Sequence, residues 1–196
     1  MCIRDRGWTY RSRDRKLATR WTGPPFESGH DRRCEGVVEG RYEGWPFAAF
    51  VFRYDTGSGD DESTWSTVIV ALLAETSLPD LDVVREGAFS RAMGKVLNYD
   101  IQLESEEFNR AYTVRSDDRK FASFVLHPQM MEQLLRGARD SWSIRNGDLL
   151  DLDNWNGRPE QITDRLDYLI GVLQGIPDFV WQDHGGRPEQ LKQGVS

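Results

Sequence analysis

Residues 107–135, EFNRAYTVRSDDRKFASFVLHPQMMEQLL, change their hydrophobic period within a few positions. Tyr112 and Val114 alternate as on a strand, whereas the apolar residues from Phe121 onward fall three and four apart, as on a helix. Asp117 is the expected N-cap of that helix, whose stripe is Phe121, Ala122, Val125 and Leu126. His127-Pro128 interrupts it, because proline disfavours helix at the preceding residue yet suits a first helical turn. A second helix then carries Met131, Leu134 and Leu135. A strand that feeds two helices in so short a span constrains the chain to a mixed fold with one shared core.

The flanking sequence repeats the pattern. A short strand is expected over residues 8–11 and a short helix over 14–20, with Asp14 as its N-cap and Pro24-Pro25 beyond. Residues 34–42 and 47–54 read as a hairpin about Glu43-Gly44, with Phe50, Phe52 and Tyr54 on one face. Residues 56–63 form a polar loop, and 65–73 are apolar on both parities, as in a strand covered on two sides. Further strands are expected at 81–84 and at Ile101 and Leu103, with a short helix presenting Phe89, Met93, Val96 and Leu97 between them. Residues 142–145 and 149–152 flank Asn146-Gly147, a favoured two-residue turn. A last helix starts at Pro159, aligns Ile162, Leu166, Leu169, Ile170 and Leu173, and stops at Gly175. The expected architecture is a single α+β domain over residues 7–181, a mostly antiparallel sheet with helices packed mainly on one side. Residues 182–196 read as a disordered tail.

Met-Cys-Ile-Arg-Asp at the start resembles a translated sequencing adapter, so residues 1–6 are set apart as adapter-derived and the native start is expected upstream. Cys34 then stands alone, with no disulfide framework and no zinc spacing, which fits a reducing cytoplasmic setting. The longest apolar runs, 46–52 and 67–74, are far shorter than the roughly 20 residues that span a bilayer.

A net charge of −7 and a pI near 5.1 argue against general affinity for nucleic acid. The charge is uneven. Arg11, Arg13, Arg15, Lys16, Arg20, Arg32 and Arg33 face only Asp14, Glu27 and Asp31 near the start. With Trp8 and Trp21 among them, these cations offer a candidate interaction surface of Trp8, Arg11, Arg13, Lys16, Arg20 and Trp21. The competing and favoured reading is core aromatics with basic neighbours that reach out to water. Basic residues also cluster at the start of cytoplasmic domains, just after a membrane helix, so membrane contact is expected only through a segment upstream.

No catalytic, cofactor-binding or metal constellation is read from the sequence. Asp55-Thr56-Gly57-Ser58 has the form of an aspartic protease loop, but that chemistry needs two carboxylates sharing a proton, and Asp60, Asp61 and Glu62 crowd this one. Asp148, Asp151 and Asp153 fail the spacing of a calcium loop and are expected on an exposed strand leading to the last helix. Glu104, Glu106 and Glu107 read as a solvated strand edge. The leading expectation is a non-enzymatic cytoplasmic domain that binds a protein or envelope partner. The alternatives are a hydrolase using carboxylates of residues 55–62 or 104–107, and a binder of small apolar ligands through Phe50, Phe52 and Trp65.

The central block resembles an uncharacterised bacterial family, domain of unknown function three-one-three-seven, and especially its actinobacterial relatives. The matching positions are Phe108, Tyr112, Val114, Asp118, Ala122, Leu126, Pro128, Met131 and Leu134. Residues 7–10, 44–47 and 166–177 are also similar. The resemblance implies membrane-spanning segments near the N-terminus of many members, outside the shared domain. It carries over no catalytic residues and no cofactor. The matching side chains are apolar, capping or helix-breaking, the kind that specify a fold.

Overall fold

Two tight turns set the sheet. Glu43 and Gly44, with φ of 47° and 78°, both take the left-handed conformation that matches the twist of a hairpin. They join β2 (His30–Tyr42) to β3 (Trp45–Thr56). Asn146 and Gly147, with φ of 50° and 76°, do the same for β7 (Trp142–Arg145) and β8 (Asp148–Asp151). The computed structural model describes residues 6–85, 100–137, 141–152 and 160–192. The expected helix at Phe89 to Leu97 and the start at Pro159 lie outside the described residues.

With β1 (Thr9–Asp14), β4 (Ser63–Leu72), β5 (Leu81–Arg85) and β6 (Tyr112–Arg115), these strands form one eight-stranded antiparallel sheet in the order β1-β2-β3-β4-β8-β7-β5-β6. β1 to β4 are neighbours in both sequence and space. The second half joins them where Val70, Ala71 and Leu72 pair with Asp151, Leu150 and Leu149.

Alternation sorts the central strands onto two faces. Phe47, Ala49, Val70, Leu72 and Leu149 point into a large core, and Ala48, Phe50, Phe52, Ile69, Ala71 and Leu150 into a smaller one. In β2 a bulge at Gly36, φ 60°, shifts the register between Glu35 and Val38. Cys34 and Val37 therefore share the small-core face, and Val38 turns to the other. Burial raises the Cys34 thiol pKa well above its ordinary range, so the group is an inert apolar filler.

The helices cover the large-core face. They are α1 (Glu106–Ala111), α2 (Arg119–Val125), α3 (Pro128–Arg136), α4 (Glu160–Gly175), α5 (Asp178–Asp183) and α6 (Glu189–Lys192). Each contributes at least one buried apolar side chain, among them Phe108, Phe121, Leu134, Leu166, Trp181 and Leu191. α4 packs against both β4 and β8, over their junction. The opposite face is closed by the segment 17–26, whose Ala18, Trp21 and Phe26 fill the smaller core. Trp21 stacks on Phe50 with ring centroids 5.7 Å apart, and Phe26 packs on Phe52 at 5.0 Å. Such aromatic pairs add about 0.5–1.5 kcal/mol each beyond their burial. The α+β architecture with helices on one face is as the sequence pattern implies.

Several local expectations differ. The N-cap of α2 is Asp118, not Asp117; its carboxylate accepts from the Phe121 N–H at 2.8 Å. Ile101 and Leu103 do not form a strand. Ile101 donates one backbone bond to Val114, and the Asn109 side-chain amide holds both the N–H and C=O of Leu103, at 3.0 and 2.8 Å. A single amide thus satisfies the backbone groups that a neighbouring strand would have taken. The acidic run expected as a strand edge begins α1, capped by Ser105, where Glu106 and Glu107 complement the helix dipole. The helix expected at 14–20 is only a 3-10 turn, Leu17–Thr19, and Asp14 accepts from the Leu17 N–H at 2.9 Å. The stretch expected as a tail contains α6 with Leu191 buried.

Candidate functional site

His127 and Pro128 stop α2 and start α3, and both line a concavity of the surface. Pro128 occupies the first turn of α3, where its missing N–H costs nothing. His127 is the N-cap: its Nδ1 accepts from the Met130 N–H at 3.4 Å, while Nε2 lies 3.1 Å from the Gly175 carbonyl oxygen. One neutral tautomer, with the proton on Nε2, satisfies both bonds. The ring thus fastens the start of α3 to the end of α4. A Cβ at Gly175 would sit 2.5 Å from the Met130 methyl carbon, so glycine permits that approach.

Beyond Gly175 the chain turns through Pro177 into α5, leaving Phe179 48% exposed. Phe179 meets Phe124 edge to face, centroids 5.0 Å apart, and Lys120 lies 5.4 Å over the Phe124 ring. Between these elements runs a trough in two compartments that share His127, Pro177 and Phe179. The first, about 390 Å³, is lined by Leu103, Phe124, Leu126, Pro128 and Met131, with Gln102, Glu104 and Ser123 at its polar side. The second, about 640 Å³, is lined by Gln129, Gln133, Gln174 and the turn at the end of α4, with Asp178 and Arg187. Both ring nitrogens of His127 are spent on backbone. The first compartment thus presents a mainly apolar lining and the second a mainly polar one.

The sequence-derived candidates fall elsewhere. Trp8 and Trp21 are buried on opposite faces of the sheet, Trp8 in the large core and Trp21 in the small one. The surface expected from Trp8, Arg11, Arg13, Lys16, Arg20 and Trp21 is therefore not formed. Its cations are distributed among local acids: Arg11 pairs with Asp14 and Glu39, Arg13 with Asp31, and Arg20 with Asp148 and Glu75. Lys16 is exposed. The Arg11 and Arg20 pKa values are raised, chiefly by hydrogen bonds to Glu39 and Asp148.

Asp148 and Asp151 are not on an exposed strand; they are 0% and 1% exposed. Asp148 accepts from Trp21 Nε1 at 3.0 Å and Arg20 Nε at 2.7 Å, and Arg165 of α4 reaches Asp151 at 2.7 Å. Beside them Arg145 grips Asp82 with two bonds, at 3.0 and 2.8 Å, and donates to the Thr22 carbonyl at 2.7 Å. Gly23 is required there, because a Cβ would lie 2.0 Å from Arg145 Nη1. Asp148 is buried because residues 20–23 lie across one face of the hairpin, and Asp151 because α4 brings Arg165 over the other.

The Asp55 carboxylate accepts from Thr64 Oγ1 at 2.6 Å and Arg33 Nη1 at 2.9 Å, and these bonds hold its pKa below the usual range, the Thr64 bond most of all. His30, Asp55 and Glu62 bring ligand atoms within 4.8 Å of one another. Arg33 already supplies the cation on Asp55, and His30 Nε2 contacts the Gly57 carbonyl oxygen at 3.0 Å. Glu106 pairs with Arg110 on the surface of α1, remote in role from that loop. Phe50 and Phe52 are packed in the small core, while Trp65 is 48% exposed, so these three do not line one cavity.

Of the positions that carry the family resemblance, Phe108 and Tyr112 stack at 4.7 Å, and the Tyr112 hydroxyl donates to the Leu134 carbonyl at 3.0 Å. Val114 and Ala122 are core, and Asp118 is a cap. Leu126, Pro128 and Met131 line the trough. Sequence reasoning missed the trough because Phe179 and Glu104 come from segments that read as a helix stop and a strand edge. The signal present in the sequence was an aromatic two residues after Pro177, just past a helix end.

No curated protein matches this chain by sequence. The fold is similar to that in the crystal structure of the mycobacterial trehalose monomycolate transport factor A, TtfA, with a TM-score of 0.63 at 15% identity, covering 89% of this chain and 92% of that one. At that identity the likeness is one of fold. Residues 67–142 match the model of the family described as Protein of unknown function (DUF3137), and this is the family that the 107–135 block resembles.

Proposed function

We propose that this chain is a non-enzymatic cytoplasmic interaction domain, membrane-proximal in the intact protein, that binds a protein or another envelope component through the trough beside His127. The observation that carries this reading is the exposed Phe179, held edge to face on Phe124 at the mouth of an apolar concavity. Exposed aromatics at the edge of a preformed pocket are typical anchors of recognition surfaces. The fold likeness to a transport factor supports a role in assembly with envelope components over one in catalysis. The acidic net charge of −7 speaks against nucleic acid as the partner.

The test is photo-crosslinking in cells that express the intact reading frame. A photoreactive amino acid replaces Phe179 in one variant and the exposed Tyr10 of β1 in another. The expected result is a discrete adduct from position 179 and none from position 10. Identical adduct patterns from the two positions would sink the proposal.

A further inference from the structure

Leu191 is 4% exposed, yet its neighbours Glu189, Gln190 and Lys192 in α6 are all exposed. One side chain therefore anchors that helix. Its seat belongs to the large core and lies beside the β2–β3 turn, where Gln190 Cγ comes 3.7 Å from the place a Gly44 Cβ would take. α6 has only four residues, far below the roughly 12–15 at which a helix in water begins to hold by itself. Its order thus depends on the seating of Leu191.

The bonding changes character at Gly185. Before it, α5 buries Val180 and Trp181, the Val180 N–H donates to the Pro177 carbonyl at 3.0 Å, and the His184 ring meets Phe121 edge to face at 5.3 Å. Gly185 and Gly186 follow with φ of 87° and 92°, both left-handed, and the Gly186 N–H closes on the Trp181 carbonyl at 2.7 Å. Beyond them the Leu191 N–H bonds within the segment, to the Pro188 carbonyl at 3.0 Å. Among the described residues no backbone bond ties residues 187–192 to a strand or to another helix. Arg187 pairs with Asp178 at 2.6 Å, but the Asp178 side chain is 71% exposed, and pairs so open to water contribute little.

We propose that residues 185–192 are a strap that lifts as a unit on Gly185-Gly186 while the rest of the fold stays closed, uncovering the apolar seat of Leu191. Segments held by few buried apolar contacts open locally, well short of global unfolding. The opening is independent of the trough's occupant. Arg187 lines the second compartment, so lifting the strap also removes part of that wall.

The experiment reads thiol reactivity in the full chain carrying Cys2→Ser and Leu191→Cys. Cys34, 0% exposed in the small core, stays as the reporter of global opening in the same molecule. Each rate is divided by that of the same position in denaturant. Position 191 is expected to react about 100-fold or more faster than Cys34. Val180→Cys, used instead of Leu191→Cys, puts the thiol before the hinge and is expected to react about as slowly as Cys34. Gly186→Ala adds a Cβ that meets no atom within 4 Å but keeps a left-handed φ, and is expected to speed position 191 about tenfold while leaving Cys34 unchanged. Amide exchange in the unmodified chain guards against loosening by the substitution itself: the Leu191 N–H is expected to exchange about 100-fold faster than that of Val180. Equal rates at positions 191 and 34, or equal amide exchange at 191 and 180, overturn the proposal, because the segment then opens only with the whole fold. A position 180 as reactive as 191, or no response to Gly186→Ala, overturns it by removing the hinge.

Discussion

The indole N–H of Trp21 donates to the carboxylate of Asp148 at 3.0 Å, across 127 positions of sequence, and both side chains are buried. Arg20 bonds the same carboxylate, so one acid holds the N-terminal segment to the β7–β8 hairpin.

Replacing Asp148 removes the acceptor of the buried Trp21 indole N–H and of the Glu75 N–H, while Arg20, about one-third exposed, keeps Glu75. Asp148→Ala is expected to destabilise the fold by about 3–4 kcal/mol, the summed cost of the donors left unpaired. Trp21→Phe keeps an aromatic ring and removes the donor, and is expected to cost about 1.5–3 kcal/mol. Urea denaturation of the two variants checks the order; an equal loss in both would contradict it.

Asp55 has its pKa depressed by the Thr64 and Arg33 bonds. A carboxylate with a folded pKa below its unfolded one contributes stability that is present above the unfolded value, about 3.9, and is lost as pH falls through the folded value. Asp55→Asn is expected to lower stability at neutral pH and to flatten the acid limb below about pH 4. Denaturation midpoints between about pH 2 and pH 7 measure this, and an acid limb of unchanged steepness would refute the assignment.

Two adjacent aspartates separate a cap from a bystander. Asp118→Ala removes the bond to the Phe121 N–H and is expected to cost about 1 kcal/mol. The neighbouring Asp117 does not cap α2, and Asp117→Ala is expected to stay within about 0.5 kcal/mol of the wild type. Thermal unfolding of the pair gives the answer, and a larger loss at Asp117 would reverse the assignment.

Gly147 combines a φ of 76° with a backbone carbonyl oxygen, that of Thr76, 2.0 Å from where a Cβ would stand. Because that neighbour is main chain, it cannot swing aside as a side chain would. Gly147→Ala is expected to lose more than about 1–3 kcal/mol, beyond the ordinary cost of a left-handed alanine. Equilibrium denaturation tests it; a loss below about 1 kcal/mol would mean that residues 76 and 147 separate freely.

What the sequence conveys and what it withholds divide along local and non-local physics. The Glu43-Gly44 and Asn146-Gly147 turns, the Ile162 to Leu173 stripe and the Pro128 restart are specified by neighbours within a few residues, and all are found where the pattern puts them. Asp148 and Asp151 read as exposed because period-two alternation says which residues share a face, not what covers that face. Their cover comes from residues 20–23 and from Arg165. α1 is hidden by its own cap, since Ser105-Glu106-Glu107 reads equally as a polar strand edge and as a helix start. The trough is illegible for the same reason as the buried acids: three separate segments build it, and none of them is concave alone.

The junction of β4 with β8 gives the molecule a particular order of assembly. The ladder there spans three residue pairs, whereas β3 and β4 match from Phe47 and Leu72 to Thr56 and Ser63. The first four strands arise from neighbours in sequence. Joining the second half requires Leu72 to meet Leu149 across a long stretch of chain, at an entropic cost that grows only slowly with length. Few ladder bonds reward that closure, so its free energy comes mainly from α4 on one side and from Trp21 and Arg20 on the other. In kinetic terms such a latch is expected to shut late. Trp21→Phe is expected to speed unfolding far more than it slows folding, which a chevron reads directly.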